Sequence, residues 1–147
     1  MTKIILVGAP RSGKSTEAKR LRASGIPTYC TDPKSLVKDV EDDVTYLPEG
    51  LAWSDASQYV LDEWFTMRGP WCIEGVATVR ALRKALDQEA TDVLKGVQVV
   101  RFRGQYQDEV TKLGQLSMKK AIDTIWKEIA PKLTRLMGDG VRIRNSN

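Results

Sequence analysis

The sequence contains no histidine and only two cysteines among its 147 residues. The absence of histidine excludes Ser-His-Asp triads, most zinc sites and acid–base catalysis by imidazole. A general base in this chain would therefore be a carboxylate or a lysine. The two cysteines, Cys30 and Cys72, lie in short apolar runs far from any Cys-x-x-Cys spacing. We expect both to be small buried side chains without redox chemistry.

Long hydrophobic runs are also missing, because no apolar stretch approaches the roughly 20 residues that span a bilayer. The N-terminus lacks the features of a signal peptide and leads directly into an apolar strand, so we expect a cytoplasmic protein that inserts in no membrane. No repeat, low-complexity tract or flexible linker divides the chain, which predicts one domain over residues 1–147. The net charge of +4 suits a polyanionic partner without identifying it.

A glycine-rich stretch, GAPRSGKST, follows the first apolar run and completes the pattern G-x-x-x-x-G-K-[ST] between a predicted strand and a predicted helix. The backbone N–H groups of such a loop surround phosphate oxygens. Lys14 is expected to reach the β- and γ-phosphates of ATP, and the Ser15 hydroxyl to bind Mg²⁺. The alternative is a loop retained only for folding. The residues expected to bind the nucleotide are Gly8, Ala9, Pro10, Arg11, Ser12, Gly13, Lys14, Ser15 and Thr16.

Hydrophobic periodicity predicts strands that alternate with helices. The predicted strands are residues 3–7, 26–31, 71–73, 97–102 and 141–144. The predicted helices are residues 13–23, 54–67, 79–86 and 115–129. Ser54 is the expected N-cap of the second, and Pro131 is expected to break or restart the last. Residues 45–50 are expected to be irregular. This order predicts an α/β fold with a five-stranded parallel sheet, helices on both faces and a ligand at the carboxyl ends of the strands.

Two carboxylates follow predicted strands at that edge of the sheet. Asp32 could take the proton from an acceptor hydroxyl and contact the acceptor. Alternatively, it caps the segment opened by Pro33. Glu74 follows Ile73 as a weak Walker-B-like match, and it could hold Mg²⁺ through water, bind substrate or serve structure alone. With Lys14, these carboxylates are the candidate catalytic residues.

Basic residues on two later helices are candidates for binding the acceptor. Arg80, Arg83 and Lys84 lie on one predicted helix, and Arg80 and Lys84 share a face at i, i+4 spacing. They indicate either contacts to an acceptor phosphate or a solvated basic face. Lys119 lies at the edge of the apolar stripe of the long helix. It suits a lid over phosphates, or it extends along the apolar surface to solvent.

The order strand, GAPRSGKST, helix, strand, TDP resembles the polynucleotide- and nucleotide-kinase branch of the P-loop phosphotransferases. The residues that match are Gly8, Gly13, Lys14, Ser15 and Asp32. This resemblance implies a three-layer P-loop NTPase fold of the nucleotide-kinase type, with ATP and Mg²⁺ as cofactors. It also implies that the aspartate after the second strand activates an acceptor hydroxyl.

More of the chain resembles a group of small bacteriophage P-loop proteins. The stretches that carry this resemblance are WSDASQYVLDEW, GPWCIEGVATVRALRKAL and GQLSMKKAIDTIWKEI. The group includes kinases that phosphorylate the hydroxymethyl group of 5-hydroxymethyluracil in DNA, an early step in thymine hypermodification. The resemblance implies this acceptor as the leading candidate and, for a viral protein, a location in the host cytoplasm.

Other acceptors remain open. Nucleoside monophosphate kinases carry an arginine-dense lid, whereas only scattered basic residues lie from the end of the fourth predicted strand to the start of the long helix, namely Arg101, Arg103, Lys112, Lys119 and Lys120. A GTPase would need an N-K-x-D motif, which the chain lacks. The alternatives are a (deoxy)nucleoside monophosphate kinase and a non-catalytic ATP-binding regulatory module.

Three aromatic residues lie between the second predicted strand and the end of the following helix: Tyr46, Trp53 and Tyr59. An enzyme that acts on a base in DNA takes that base out of its stack and receives it on aromatic or apolar surfaces. We therefore expect the base pocket around Tyr46 and Trp53. Core packing is the alternative for Trp53 and Tyr59.

Overall fold

A computed structural model of the protein describes residues 2–8, 13–37, 39–103 and 113–146. Six strands form one sheet in the order β3-β2-β4-β1-β5-β6, and every neighbouring pair is parallel. The strands are β1 Lys3–Val7, β2 Thr28–Cys30, β3 Val44–Tyr46, β4 Trp71–Glu74, β5 Val97–Phe102 and β6 Arg142–Ser146. Central strands β1 and β4 are nearly continuous apolar runs because helices cover both of their faces.

Helices cover both faces of this sheet unequally. The helices are α1 Lys14–Ala23, α2 Trp53–Tyr59, α3 Thr78–Asp87 and α4 Leu113–Arg135, and α2 continues through a π-helical turn at Val60–Trp64. Ile5 and Val7 of β1 pack in the larger core with α2, α3 and α4. The alternate residues Ile4 and Leu6 pack in a smaller core with α1. In the described ranges, α1 is the only helix on its face.

The connections from β1 and β4 leave a crevice at the carboxyl edge of the sheet. These strands are neighbours, with Leu6 paired to Glu74, yet α1 follows β1 onto one face while α3 follows β4 onto the other. A crevice opens where consecutive helices depart to opposite faces, and ligands of open α/β sheets bind there. The architecture is compatible with a Rossmann-like or a P-loop fold.

The sheet has six strands, so the prediction of five was wrong. The additional strand, β3, lies within a stretch expected to be mostly irregular, and it pairs with β2 from Thr28 opposite Val44 to Cys30 opposite Tyr46. This strand has three residues and no apolar run, so its pairing partner, rather than its own sequence, determines its conformation. The α/β class and the parallel pairing are confirmed.

Two predicted helix boundaries were also wrong. Helix α2 begins at Trp53 with Ala52 as the N-cap and no side-chain cap, so Ser54 lies inside the helix. Helix α4 runs through Pro131 to Arg135, because Ile129 and Leu133 are both fully buried and hold the helix against the core on either side of the proline. No helix in the described part of the chain is long and apolar enough to cross a membrane.

Candidate functional site

The glycine-rich stretch connects β1 to α1 at the crevice. Gly8 is buried directly after β1, and Gly13 precedes α1 with a φ of 100°, in the left-handed region that favours glycine. The first turn of α1 contains Lys14, Ser15 and Thr16. The expected nucleotide-binding residues Ala9, Pro10, Arg11 and Ser12 lie outside the described residues.

Lys14 and Glu74 form a buried pair between β1 and β4. The Lys14 side chain is 3% exposed and the Glu74 side chain 9%, and Lys14 Nζ lies 3.7 Å from Glu74 Oε2. This oxygen has no hydrogen-bond partner among the described residues. Burial raises the pKa of Glu74, the charge of Lys14 opposes this rise, and the charge of Asp32 adds to it. A buried acceptor oxygen without a donor is costly, and such groups cluster at functional sites.

Asp32 is held by the loop that follows Glu74. Its Oδ1 accepts a hydrogen bond of 2.8 Å from the backbone N–H of Val76. The short 3₁₀ turn at Lys34–Leu36 has Pro33 at its N-cap and no side-chain cap. Asp32 therefore does not cap that segment, and the capping interpretation was wrong.

Thr31 joins the same two strand ends. Its N–H donates to the Glu74 carbonyl at 2.8 Å, and its Oγ1 accepts from the Ala77 N–H at 3.0 Å. These bonds hold the ends of β2 and β4 together and hold Asp32 near Glu74.

Gly75 permits this close approach. Its φ is 129°, and a Cβ atom here would lie 2.2 Å from Thr31 Oγ1 and 3.0 Å from Asp32 Oδ1. The sequence pattern gives no signal for this requirement, because it depends on residues more than 40 positions away in the chain.

A cleft of about 320 Å³ brings several predicted residues together on the α1 face of the sheet. Its walls include Ser15, Thr16, Lys19, Asp32, Tyr46 and Glu74. Arg22 also lines the cleft and forms ion pairs with Glu41 and Asp43. The periodicity of α1 could have revealed Lys19 and Arg22, because positions i, i+4 and i+7 from Ser15 lie on one helix face.

The basic residues of α3 lie outside that cleft. Arg80, Arg83 and Lys84 line a separate groove with Trp53, and the Arg80 guanidinium carbon lies 5.8 Å from the centroid of the Trp53 ring. Burial, and secondarily the charge of Arg83, lower the pKa of Arg80. The structure therefore separates these acceptor-binding candidates from Asp32 and Glu74.

Lys119 is linked by ion pairs to a residue of β5 rather than to one of β2. Its Nζ lies 3.5 Å from Asp123, which also pairs with Arg101 at 3.4 Å. Arg101 is paired with Val7, the last residue of β1. The Lys119 side chain is 17% exposed, so most of it is covered rather than extended to solvent.

The three aromatic candidates divide among three environments. Tyr46 lines the cleft with Asp32, whereas Trp53 lines two other pockets. Tyr59 packs edge-on against Trp64, with 6.2 Å between ring centroids, so core packing is confirmed for Tyr59. Tyr46 and Trp53 thus contribute to different pockets rather than to the one expected.

Both cysteines are buried and unpaired, as predicted. Burial raises the pKa of Cys72 to about 12, with a smaller contribution from the charge of Glu74. The same causes raise the pKa of Cys30 further. Neither thiol forms a reactive thiolate at neutral pH.

Comparison of the chain with protein-family models, with curated proteins and with solved structures found no significant match.

Proposed function

We propose that this protein is an ATP-dependent P-loop kinase that transfers the γ-phosphate to a hydroxyl group of a nucleic-acid or nucleotide acceptor. One observation carries the proposal. The buried Lys14–Glu74 pair lies at the crevice between β1 and β4, and Glu74 shares a cleft with Asp32 and Ser15. A phosphate-binding lysine, a hydroxyl and two carboxylates are the groups that phosphoryl transfer uses.

The chain has groups that would suit Mg²⁺. Protein sites usually bind this ion through one or two carboxylates together with substrate phosphates, so a large acidic cluster is not required. Ser15 Oγ and Glu74 Oε2 are the atoms that would hold it, and Glu74 Oε2 lacks another partner among the described residues. Bound Mg²⁺ would neutralise charge on the β- and γ-phosphate oxygens.

In the proposed reaction, the acceptor oxygen forms a bond to the γ-phosphorus as the bond from that phosphorus to the bridging β–γ oxygen breaks. ADP leaves with the electron pair of the broken bond. Asp32 accepts the proton of the acceptor hydroxyl. The hydrogen bond from Val76 holds Asp32 Oδ1, so Oδ2 is the oxygen that accepts this proton.

The hydroxymethyl group of 5-hydroxymethyluracil in DNA is the leading candidate acceptor. The net charge of +4 and the scattered basic residues after β5 support a polymeric acceptor over a free nucleotide. The resemblance of three stretches of the chain to phage kinases of this class adds to that support.

The decisive experiment measures transfer of label from γ-labelled ATP to free deoxynucleotides, plain DNA and DNA containing 5-hydroxymethyluracil. We expect label only in the modified DNA, and transfer slowed by roughly 10²-fold or more in the Asp32→Asn variant, which serves as a matched control. Transfer only to free nucleotides would favour the monophosphate kinase instead. ATP binding without transfer to any acceptor would favour a regulatory module, and absence of ATP binding would overturn the proposal.

A further inference from the structure

Trp53 is the exception among the four tryptophans of the chain. Its exposed fraction is 46%, whereas Trp64, Trp71 and Trp126 are 5%, 1% and 5% exposed. It is the first residue of α2. An exposed tryptophan leaves a large apolar ring in water, and such rings are common where a flat ligand binds.

Trp53 lines two pockets, one apolar and one basic. One has a volume of about 450 Å³ and is largely apolar, with Leu47, Pro48 and Leu51 in its walls. The other is a groove of about 270 Å³ that contains the basic residues of α3. Among the described residues, Trp53 alone lines both, so the two pockets meet at this residue.

The described wall of the basic groove carries more positive than negative charge. In the described ranges, Arg80, Arg83 and Lys84 form no ion pair with a carboxylate within 4.0 Å. The Lys84 ammonium instead lies 3.4 Å from Ser54 Oγ, and the Arg80 guanidinium lies against the Trp53 ring. Asp87 is the one acidic residue among the described residues of the groove wall. The groove therefore attracts an anion and holds the tryptophan ring beside it.

We propose that these two pockets form a binding surface for a single-stranded polynucleotide. An unstacked base occupies the apolar pocket against Trp53, and the adjoining phosphates contact Arg83 and Lys84. A positive groove beside an exposed aromatic ring is the combination that binds single strands, because each base offers a flat face for stacking. In a duplex the faces of the bases are already stacked on neighbouring bases, so they are not available to Trp53. An acidic peptide supplies negative charge but has no flat bases to stack.

The surface also adjoins the transfer cleft. Thr31 and Pro33 line the apolar pocket, whereas Asp32, between them in the chain, lines the cleft. The pocket and the cleft therefore share the wall formed by residues 31–33, and a strand bound at Trp53 would cross that wall to present its acceptor to Asp32. This role as the acceptor site rests on the proposed kinase function, but the binding itself does not.

Binding is tested by titrating the full chain with a short oligothymidylate in the absence of ATP and following tryptophan fluorescence. Because the other tryptophans are buried, we expect the quenching to come from Trp53. Trp53→Ala should weaken binding roughly 10-fold or more. Trp53→Phe should retain most of the affinity while losing the quenching, and circular dichroism checks that both variants fold.

The phosphate contacts are tested by salt dependence. Replacing Arg83 and Lys84 with Gln should lower the slope of log affinity against log salt by about 1.4, since each phosphate contact on a single strand contributes about 0.7. The matched control replaces Lys127 and Lys132 with Gln, because both are exposed on α4 and make the same change in net charge. Its slope should equal that of the wild type.

Three outcomes would overturn the inference: no binding, equal weakening by the two double variants, or equally tight binding of a polyglutamate of matched charge. These outcomes are separable from failure of the kinase proposal. Loss of oligonucleotide binding with intact transfer to free nucleotides would remove only this surface. Oligonucleotide binding without transfer to any acceptor would support the surface and remove the kinase.

Discussion

Lys14 is a charged residue in an almost fully buried position, 3.7 Å from Glu74 Oε2. Lys14→Ala should abolish phosphoryl transfer, with a loss of at least about 10²-fold, because in the proposed reaction the ammonium group stabilises charge that moves. The fold should persist, since Glu74 can take up a proton once its cation is gone. Label transfer and a thermal melt measure the two effects. Unchanged turnover in a folded variant would exclude Lys14 from the reaction.

Asp32→Asn separates catalysis from structure. The Asn side-chain oxygen can still accept the hydrogen bond from Val76 N–H that Asp32 Oδ1 accepts, so the loop should keep its conformation. The amide cannot take up the acceptor proton, and we expect a rate loss of roughly 10²-fold or more. ATP affinity, measured by calorimetry, should stay unchanged. A variant that loses stability but keeps its rate per folded molecule would make Asp32 purely structural.

Glu74 should reduce stability at neutral pH in the absence of nucleotide and Mg²⁺. Its folded-state pKa is raised above the ordinary value of 4.5, mainly by burial and in spite of Lys14. The folded state therefore binds more protons between these two pKa values, and the free energy of unfolding falls as pH rises through that window. Glu74→Gln resembles the protonated form, so it should raise Tm at pH 7.

The gain in Tm should shrink as pH falls and vanish below 4.5, the ordinary pKa of Glu74. Thermal melts in EDTA across this pH range measure it. Glu128→Gln is the matched control, because Glu128 is exposed on α4, and its Tm should equal that of the wild type throughout. A gain that stays constant with pH would show that titration of Glu74 is not the cause.

The junction of β2 and β4 has the tightest steric requirement described for any glycine of the chain. Gly75→Ala would bring a Cβ to 2.2 Å from Thr31 Oγ1 at a φ of 129°, so backbone strain and overpacking should together cost about 3 kcal/mol or more. Gly25→Ala is the control, because its φ is 96° but nothing lies within 4 Å of the added atom. It should cost about 1 kcal/mol.

Urea denaturation of both glycine variants measures the difference. Equal losses would mean that the contact with Thr31 contributes nothing beyond the backbone conformation. A larger loss for Gly75→Ala would also predict weaker phosphoryl transfer, because Asp32 Oδ1 would lie 3.0 Å from the same Cβ and would have to shift.

At the scale of the whole molecule, strong local patterns made the fold class predictable. The apolar runs of β1, β4 and β5 and the periodic stripe of α4 correspond to buried residues, including Ile122, Ile125, Trp126 and Ile129. Strand β3 was not predictable, because its pairing with β2 rather than its composition makes it a strand. The path of α4 through Pro131 also depends on packing that local propensity does not encode.

The individual candidate residues were predictable from the sequence, but their division between the cleft and the basic groove was not. Lys14, Ser15, Asp32 and Glu74 follow strand ends, and parallel strands bring such positions to one edge. Whether Arg80 and Arg83 join them depends on which face of the sheet α3 covers. Because Val79 and Leu82 are buried in the larger core, α3 covers that face of the sheet. Its basic residues therefore lie toward Trp53.

The two faces of the sheet carry different numbers of helices, and this difference affects how readily each helix opens locally. Helix α1 buries only Lys14, Ala18 and Leu21 among its described side chains, whereas α3 buries five, so local opening of α1 should require less free energy than that of α3 or α4. Amide hydrogen exchange should therefore be faster in α1 than in α3 and α4. A ligand that binds only the closed helix, at 100 times its Kd, should slow that exchange about 100-fold.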